Sequence, residues 1–112
     1  MPEGFAKNLR LNRADEFKTV LKTGRKYAGR YFVVFSKSNN LERPRLGLIV
    51  SKKALRHATE RNQVKRIIRE SFRLNQAQLA QLDIVVMIYA EVSKLNRVEL
   101  RQMVNQFWVK LI

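Results

Sequence analysis

Arg61, Asn62, Lys65, Arg66, Arg69 and Arg73 all lie within residues 60–73, which read ERNQVKRIIRESFR. Guanidinium groups stay protonated at neutral pH, so this set is suited to holding anions and not to moving protons. The anion it fits best is phosphate, which Arg meets with a planar fork of donors and Lys with a point charge. Glu60 and Glu70 are the only carboxylates in the stretch, too few to neutralise it. The same residues keep a helical period. Val64, Ile67, Ile68, Phe72 and Leu74 fall on one side with Ser71 among them, and the cations cover an adjoining arc toward the opposite side. Thr59 is the expected N-cap, which places Arg61 in the first turn. There the helix dipole disfavours a cation by roughly a few tenths of a kcal/mol, and a bound phosphate reverses that sign.

The rest of the chain offers little for catalysis. Cysteine is absent, which excludes disulfides and thiolate metal sites, and the single histidine, His57, stands beside Arg56 with no partner group in its local sequence. Metal-dependent phosphodiester hydrolysis needs clustered carboxylates, and metal-free versions need a paired acid and base. The nine carboxylates here are scattered, so no catalytic and no metal-ligating residue is assigned, and an autonomous nuclease is disfavoured. His57 reads as a phosphate contact or a solvated side chain.

The net charge of +14, from 23 Lys and Arg against nine Asp and Glu, exceeds what solubility requires and indicates a polyanionic partner, nucleic acid or an anionic membrane. Residues 1–73 hold 19 of the 23 cations, whereas residues 74–112 hold four against Asp83, Glu91 and Glu99. The basic character therefore belongs to particular elements. There is no apolar run of 18 residues and no secretory leader, so the expectation is a soluble cytoplasmic protein with no membrane association. At 112 residues the chain reads as one domain, 1–112, with residues 1–11 a flexible basic arm.

Several elements must position the basic stretch. Asn12 with Asp15 suggests a capping box opening a short helix, on which Phe17, Val20 and Leu21 share a face and which Gly24 can end. Residues 31–37, YFVVFSK, are dense in aromatic and β-branched residues and predict a strand, with a short one before it around residues 26–28. Alternation puts Tyr31, Val33 and Phe35 on one side and Phe32 and Val34 on the other. Residues 38–44 form a loop suited to a hairpin, and residues 45–51, RLGLIVS, follow as the partner strand, running into Lys52 and Lys53. Residues 75–82 are a short helix or a loop. Residues 83–89, DIVVMIY, predict a central strand covered on both faces. Asn96 with Glu99 opens a last helix whose Leu100, Met103, Val104, Phe107, Trp108 and Leu111 form an apolar stripe. The order is helix, two or three strands, helix, strand, helix, which fits an α+β sandwich with one sheet face largely covered. On the other face, Phe17 and Leu21 with Tyr31 or Phe35 could border a groove whose second wall is Lys52, Lys53 and the basic helix. Rings beside cations suit a single nucleic-acid strand, although a Phe at such spacing is more often core.

RLGLIVSKK (residues 45–53) and ERNQVKRIIRESFRL (residues 60–74) together resemble the protein subunit of bacterial ribonuclease P, and FKTVLKTGRKYAGRYFVVF (residues 17–35) matches the same family's first helix and strands. The resemblance covers nearly the whole chain and is most specific in the pattern Arg61, Asn62, Lys65, Arg66 and Arg69. It implies a two-layer sandwich like ribosomal protein S5 domain 2, order αββ(β)αβα, with a left-handed βαβ crossover where the general rule favours the right-handed form. It also implies a partnership with a large catalytic RNA that removes the 5′ leader of precursor tRNA by hydrolysis with Mg²⁺, the ion being held mainly by RNA and substrate, with no protein partner required. By position, Arg61, Asn62, Lys65, Arg66 and Arg69 would face the catalytic RNA, and Phe17, Leu21, Phe35, Lys52 and Lys53 would line the cleft for the single-stranded leader. Two positions depart from the family pattern. Gln63 stands where an Arg is usual, and Leu21 where an aromatic is frequent. A basic structural RNA-binding protein, such as a ribosomal protein, is the alternative that composition cannot separate, because phosphate attraction is blind to sequence. A DNA-binding module lacks the helix-turn-helix pattern expected around such a helix.

Overall fold

Alternate side chains of residues 32–38 divide the molecule into two apolar clusters. Phe32 and Val34 join one and Val33 and Phe35 the other, so helices pack on both faces of the sheet. A computed structural model describes residues 10–11, 13–79 and 81–111. Its elements are α1 (Ala14–Thr23), β1 (Arg25–Ala28), β2 (Phe32–Ser38), β3 (Arg45–Ile49), α2 (Ala58–Asn75), β4 (Leu82–Ile88) and α3 (Arg97–Phe107), with short 3₁₀ turns at Gln76–Leu79, Ala90–Lys94 and Trp108–Leu111.

The four strands lie in the order β1-β2-β4-β3, with β1·β2 and β2·β4 antiparallel and β3·β4 parallel. This corrects the expected hairpin: β3 follows β2 in sequence but pairs only with β4 among the named strands, as Leu46 lies opposite Ile84 and Leu48 opposite Val86. The reason lies in β4, whose Ile84, Val85 and Val86 are fully buried. Such a strand needs ladder partners on both edges, and inserting it between β2 and β3 gives residues 83–87 a partner strand on each side. The parallel β3·β4 pair in turn needs a long crossover, which α2 supplies.

Buried charge fixes that insertion. Asp83, at the start of β4 and only 8% exposed, receives Arg45 Nε at 2.9 Å and Nη2 at 2.8 Å, and Asn39 Nδ2 at 2.9 Å. Arg45 also donates Nη1 to Glu16 of α1 at 2.6 Å. The hydrogen bond to Asp83 is the main cause that raises the Arg45 guanidinium above its ordinary range. Asn39 completes the connection, its Oδ1 accepting from Leu41 N at 2.8 Å in an Asx turn beside Asn40, whose φ is +57°.

On one face, α2 and α3 close over the larger cluster. Trp108 is fully buried, edge-on to Phe72 at 5.6 Å and to Phe107 at 4.4 Å. Its indole Nε1 donates to Ser71 Oγ at 2.8 Å, and Ser71 donates to Asn105 Oδ1. That explains a hydroxyl on the apolar side of α2. The Asn96–Glu99 capping box is complete, with Glu99 N donating to Asn96 Oδ1 at 2.8 Å and Asn96 N donating to Glu99 Oε1 at 3.0 Å.

On the other face, α1 lays Val20, Phe17 and Leu21 over Val33, Phe35 and Val85. Its N-cap is Arg13, one residue later than expected, and Arg13 N donates to Glu16 Oε1 at 3.2 Å. Asn12 lies outside the described residues, as do residues 1–9 of the expected arm. Residues 10 and 11 are held: Leu11 N donates to Leu46 O at 3.0 Å along the outer edge of β3, and Leu11 is buried under α1. Gly24 ends α1 with φ −76°, so its glycine serves close approach, since a Cβ there would lie 2.9 Å from Ser36 O. Tyr31 departs from the expected alternation. It precedes β2 and packs against the α2 and α3 cluster, not against α1.

Candidate nucleic-acid interface

The helix α2 begins two residues earlier than its sequence suggests, with His57 as an extended N-cap that makes no side-chain capping bond. Val64, Ile67, Ile68, Ser71 and Phe72 are buried, as the helical period requires. Leu74 is the exception at 68% exposed, because its flank opens into a groove between α2 and α3 shared with Arg66, Arg101 and Asn105.

The cations of α2 form a crest with two flanks. Arg61, Lys65 and Arg69, spaced four apart, share the flank nearer the sheet edge and are partly buried, whereas Asn62 and Arg66 on the crest are exposed. Arg61 is tied to the preceding loop, its Nη1 donating to Leu55 O at 2.8 Å and Arg56 O at 3.1 Å. Arg73 donates to Glu70, and that hydrogen bond holds the Glu70 carboxyl below its usual range. Lys65, Arg66 and Arg69 have no carboxylate partner among the described residues. Burial, and then the neighbouring Arg10, lower the Arg69 guanidinium from its ordinary value, so two like charges meet where β3 and α2 adjoin. A phosphate between or beside them would relieve both.

The face under α1 presents different chemistry. Phe17 and Leu21 are half-buried there, with Ile49 and Met87 as partly exposed floor. Phe17 sits directly over β3, where a Cβ on Gly47 would come within 2.5 Å of the ring's Cε1 and Cζ. Lys52 and Lys53 are exposed in the turn that follows β3, a turn held by Ser51, whose O accepts from Leu55 N and whose Oγ accepts from Ala54 N. Phe35 is different: at 9% exposed it belongs to the core beneath α1, among Leu11, Val20, Val33 and Val85. It supports this surface from below.

The structure therefore brings Phe17 and Leu21 together, places Lys52 and Lys53 at the end of the neighbouring strand, and gathers Lys65, Arg66 and Arg69 elsewhere. The basic helix is not the second wall of the α1 groove, since α1 and α2 cover opposite faces; Arg10, bridged to Leu46 at the edge of β3, is the residue that neighbours Arg69. Sequence reasoning passed over Gly47, Ile49, Met87, Arg10, Arg97 and Arg101. A glycine inside a strand was the available signal for Gly47, since it marks close approach by another group. The others depend on which elements become neighbours. Among the described residues no three of His, Cys, Asp and Glu converge as a metal site, and no helix is long and apolar enough to cross a membrane.

A small basic α+β sandwich with unpaired guanidinium groups along one helix and an aromatic-edged sheet face is a nucleic-acid-binding architecture. The family model for Ribonuclease P matches residues 5–112. The chain is 40% identical over 109 residues to the ribonuclease P protein component of Histophilus somni, covering 97% of this chain and 92% of that one. It is 35% identical over 109 residues to that of Thioalkalivibrio sulfidiphilus, covering 97% and 91%. The Staphylococcus aureus RNase P protein superposes with a TM-score of 0.83 at 29% identity, covering 92% of this chain and 94% of that one. The Thermotoga maritima RNase P protein gives 0.70 at 31% identity, covering 87% and 96%. The chain belongs to the ribonuclease P protein family, the RNA-binding protein subunits of a ribonucleoprotein that processes tRNA.

Proposed function

We propose that α2 binds the catalytic RNA of ribonuclease P while the sheet face bordered by α1 receives the single-stranded 5′ leader of precursor tRNA. The observation that carries this reading is the set Lys65, Arg66 and Arg69, which has no carboxylate partner among the described residues although the protein has nine carboxylates. Unpaired cations on a rigid helix are pre-organised for phosphate, so little ordering is lost on binding. Phe17, held on Gly47 beside Leu21, offers a surface on which a base can rest, with Lys52 and Lys53 at the strand end to follow the backbone.

Hydrolysis itself is assigned to the RNA. Glu16 and Asp83 share the Arg45 guanidinium, which occupies the space between them and does not leave a site that fits Mg²⁺. Mg²⁺ would be held by phosphates of the RNA and substrate. The chain's role is to bind and orient RNA and to lower repulsion among phosphates, which favours substrate and Mg²⁺ association. It would do so in the cytoplasm with no further protein partner. Reconstitution of precursor tRNA cleavage at low Mg²⁺ tests the assignment: RNA and protein together should be efficient, and either alone should not. Cleavage by the protein alone would overturn it.

A further inference from the structure

The cations of α2 continue onto α3. Gln63 lies on the α2 flank facing α3, and with its amide oxygen toward Arg97 it accepts from Nη2 at 3.2 Å and also from Nε. Arg97 is the first residue of α3, where the helix dipole disfavours a cation, and the Gln63 amide that meets it is neutral. Around this contact an open groove of about 360 Å³ is lined by Thr59, Asn62, Gln63, Arg66, Arg97 and Arg101, together with Ile67. Three guanidinium groups thus share one concavity with no carboxylate in its lining, and none of the three has an ion-pair partner among the described residues. Glu99, the acidic residue nearest Arg97 and Arg101 in sequence, is engaged by the Asn96 capping box, and Glu60 lines the adjoining cleft with Gln63 and Arg97 without forming an ion pair to Arg97. The groove runs on past Arg66 and Arg101 toward Glu70, Ser71, Leu74 and Asn105, where the Glu70 carboxylate is paired with Arg73.

We infer that this furrow between α2 and α3 is a phosphodiester-binding subsite for RNA, in which Arg97, oriented by Gln63, supplies a guanidinium that α2 itself lacks at position 63. Three converging guanidinium groups repel one another when the groove is empty, and an anion of fixed geometry, able to accept from several forks at once, relieves that repulsion. Asn62 and Gln63 add neutral polar groups at the rim, which suits a diester carrying one charge per phosphate. The inference rests on the RNA-binding reading of α2 and extends it: the bound RNA would lie across two helices, and Arg97 and Arg101 would belong to the interface.

The test uses the full chain with the catalytic RNA and, separately, the assembled holoenzyme with precursor tRNA. Arg97→Ala and Arg101→Ala together should weaken RNA binding by about tenfold or more and make the slope of log K against log salt shallower by about 0.7 for each phosphate no longer engaged. Lys110→Ala, an exposed cation elsewhere on the surface, should change neither. Adding Gln63→Arg to Arg97→Ala should restore much of the affinity by returning a guanidinium to the groove. Arg101→Glu serves as a second variant should the Gln63 contact matter for folding, and unchanged thermal melting would show that the loss is one of binding. A loss confined to precursor tRNA would assign the phosphate to the substrate, and a loss seen with the free catalytic RNA would assign it to that RNA. Unchanged affinity and slope for both RNAs, while Lys65→Ala with Arg69→Ala weakens binding, would overturn the furrow and leave the α2 assignment standing. Native protein with no salt dependence at all would instead remove the α2 assignment.

Discussion

The Phe17 ring of α1 rests on the backbone of Gly47 in β3, so close that a Cβ at position 47 would stand 2.5 Å from two ring atoms. This contact sets how near α1 lies to the sheet and therefore the depth of the face bordered by Phe17, Leu21, Ile49 and Met87. Gly47→Ala should displace the ring and cost about 1 to 3 kcal/mol in urea unfolding. It should also weaken precursor tRNA binding with little effect on mature tRNA, as should Phe17→Ala. Equal losses for both RNAs would mean that the ring acts only through stability.

The carboxylate of Asp83 joins β4, β3, the Asn39 turn and, through Arg45, α1. Removing one partner of such a pair leaves the other charge poorly solvated. Asp83→Asn and Arg45→Met should each cost about 2 to 4 kcal/mol, somewhat below a fully buried pair because both side chains keep some solvent contact. The double variant should lose less than the sum of the two, which a double-mutant cycle in denaturant would measure.

Ser71 stands between the buried Trp108 indole and Asn105. Ser71→Ala leaves a buried N–H without its acceptor and should cost about 1 to 3 kcal/mol. Tryptophan fluorescence can follow the change directly, since Trp108 is the only tryptophan. An unaltered unfolding midpoint would mean that another acceptor replaces Ser71.

If α2 and its neighbours engage about five to seven phosphates, log K for the catalytic RNA should fall against log salt with a slope of about −3.5 to −5. Substituting Lys65 or Arg66 by Ala should make the slope shallower, because each lacks a carboxylate partner and is available to the RNA. Arg61→Ala should act partly through folding, since its guanidinium is bonded to the Leu55 and Arg56 carbonyls.

By itself the sequence determined the elements and the character of the interface. The period of Val64, Ile67, Ile68 and Phe72, the alternation of Phe32 to Phe35, the Asn96–Glu99 cap and the excess of cations over carboxylates are local or compositional, and local patterns survive in any fold that contains them. The tertiary structure alone decided which elements became neighbours. A turn-rich loop between two strands cannot reveal that β4 will slip between them, because that choice depends on burying Ile84, Val85 and Val86 and on giving Asp83 its partners, both long-range terms. The same holds for function. Lys65, Arg66 and Arg69 could be read from spacing, but the burial of Phe35, the seat of Phe17 on Gly47 and the approach of Arg97 to Gln63 arise where distant segments pack, and no periodicity in a single chain encodes such a contact.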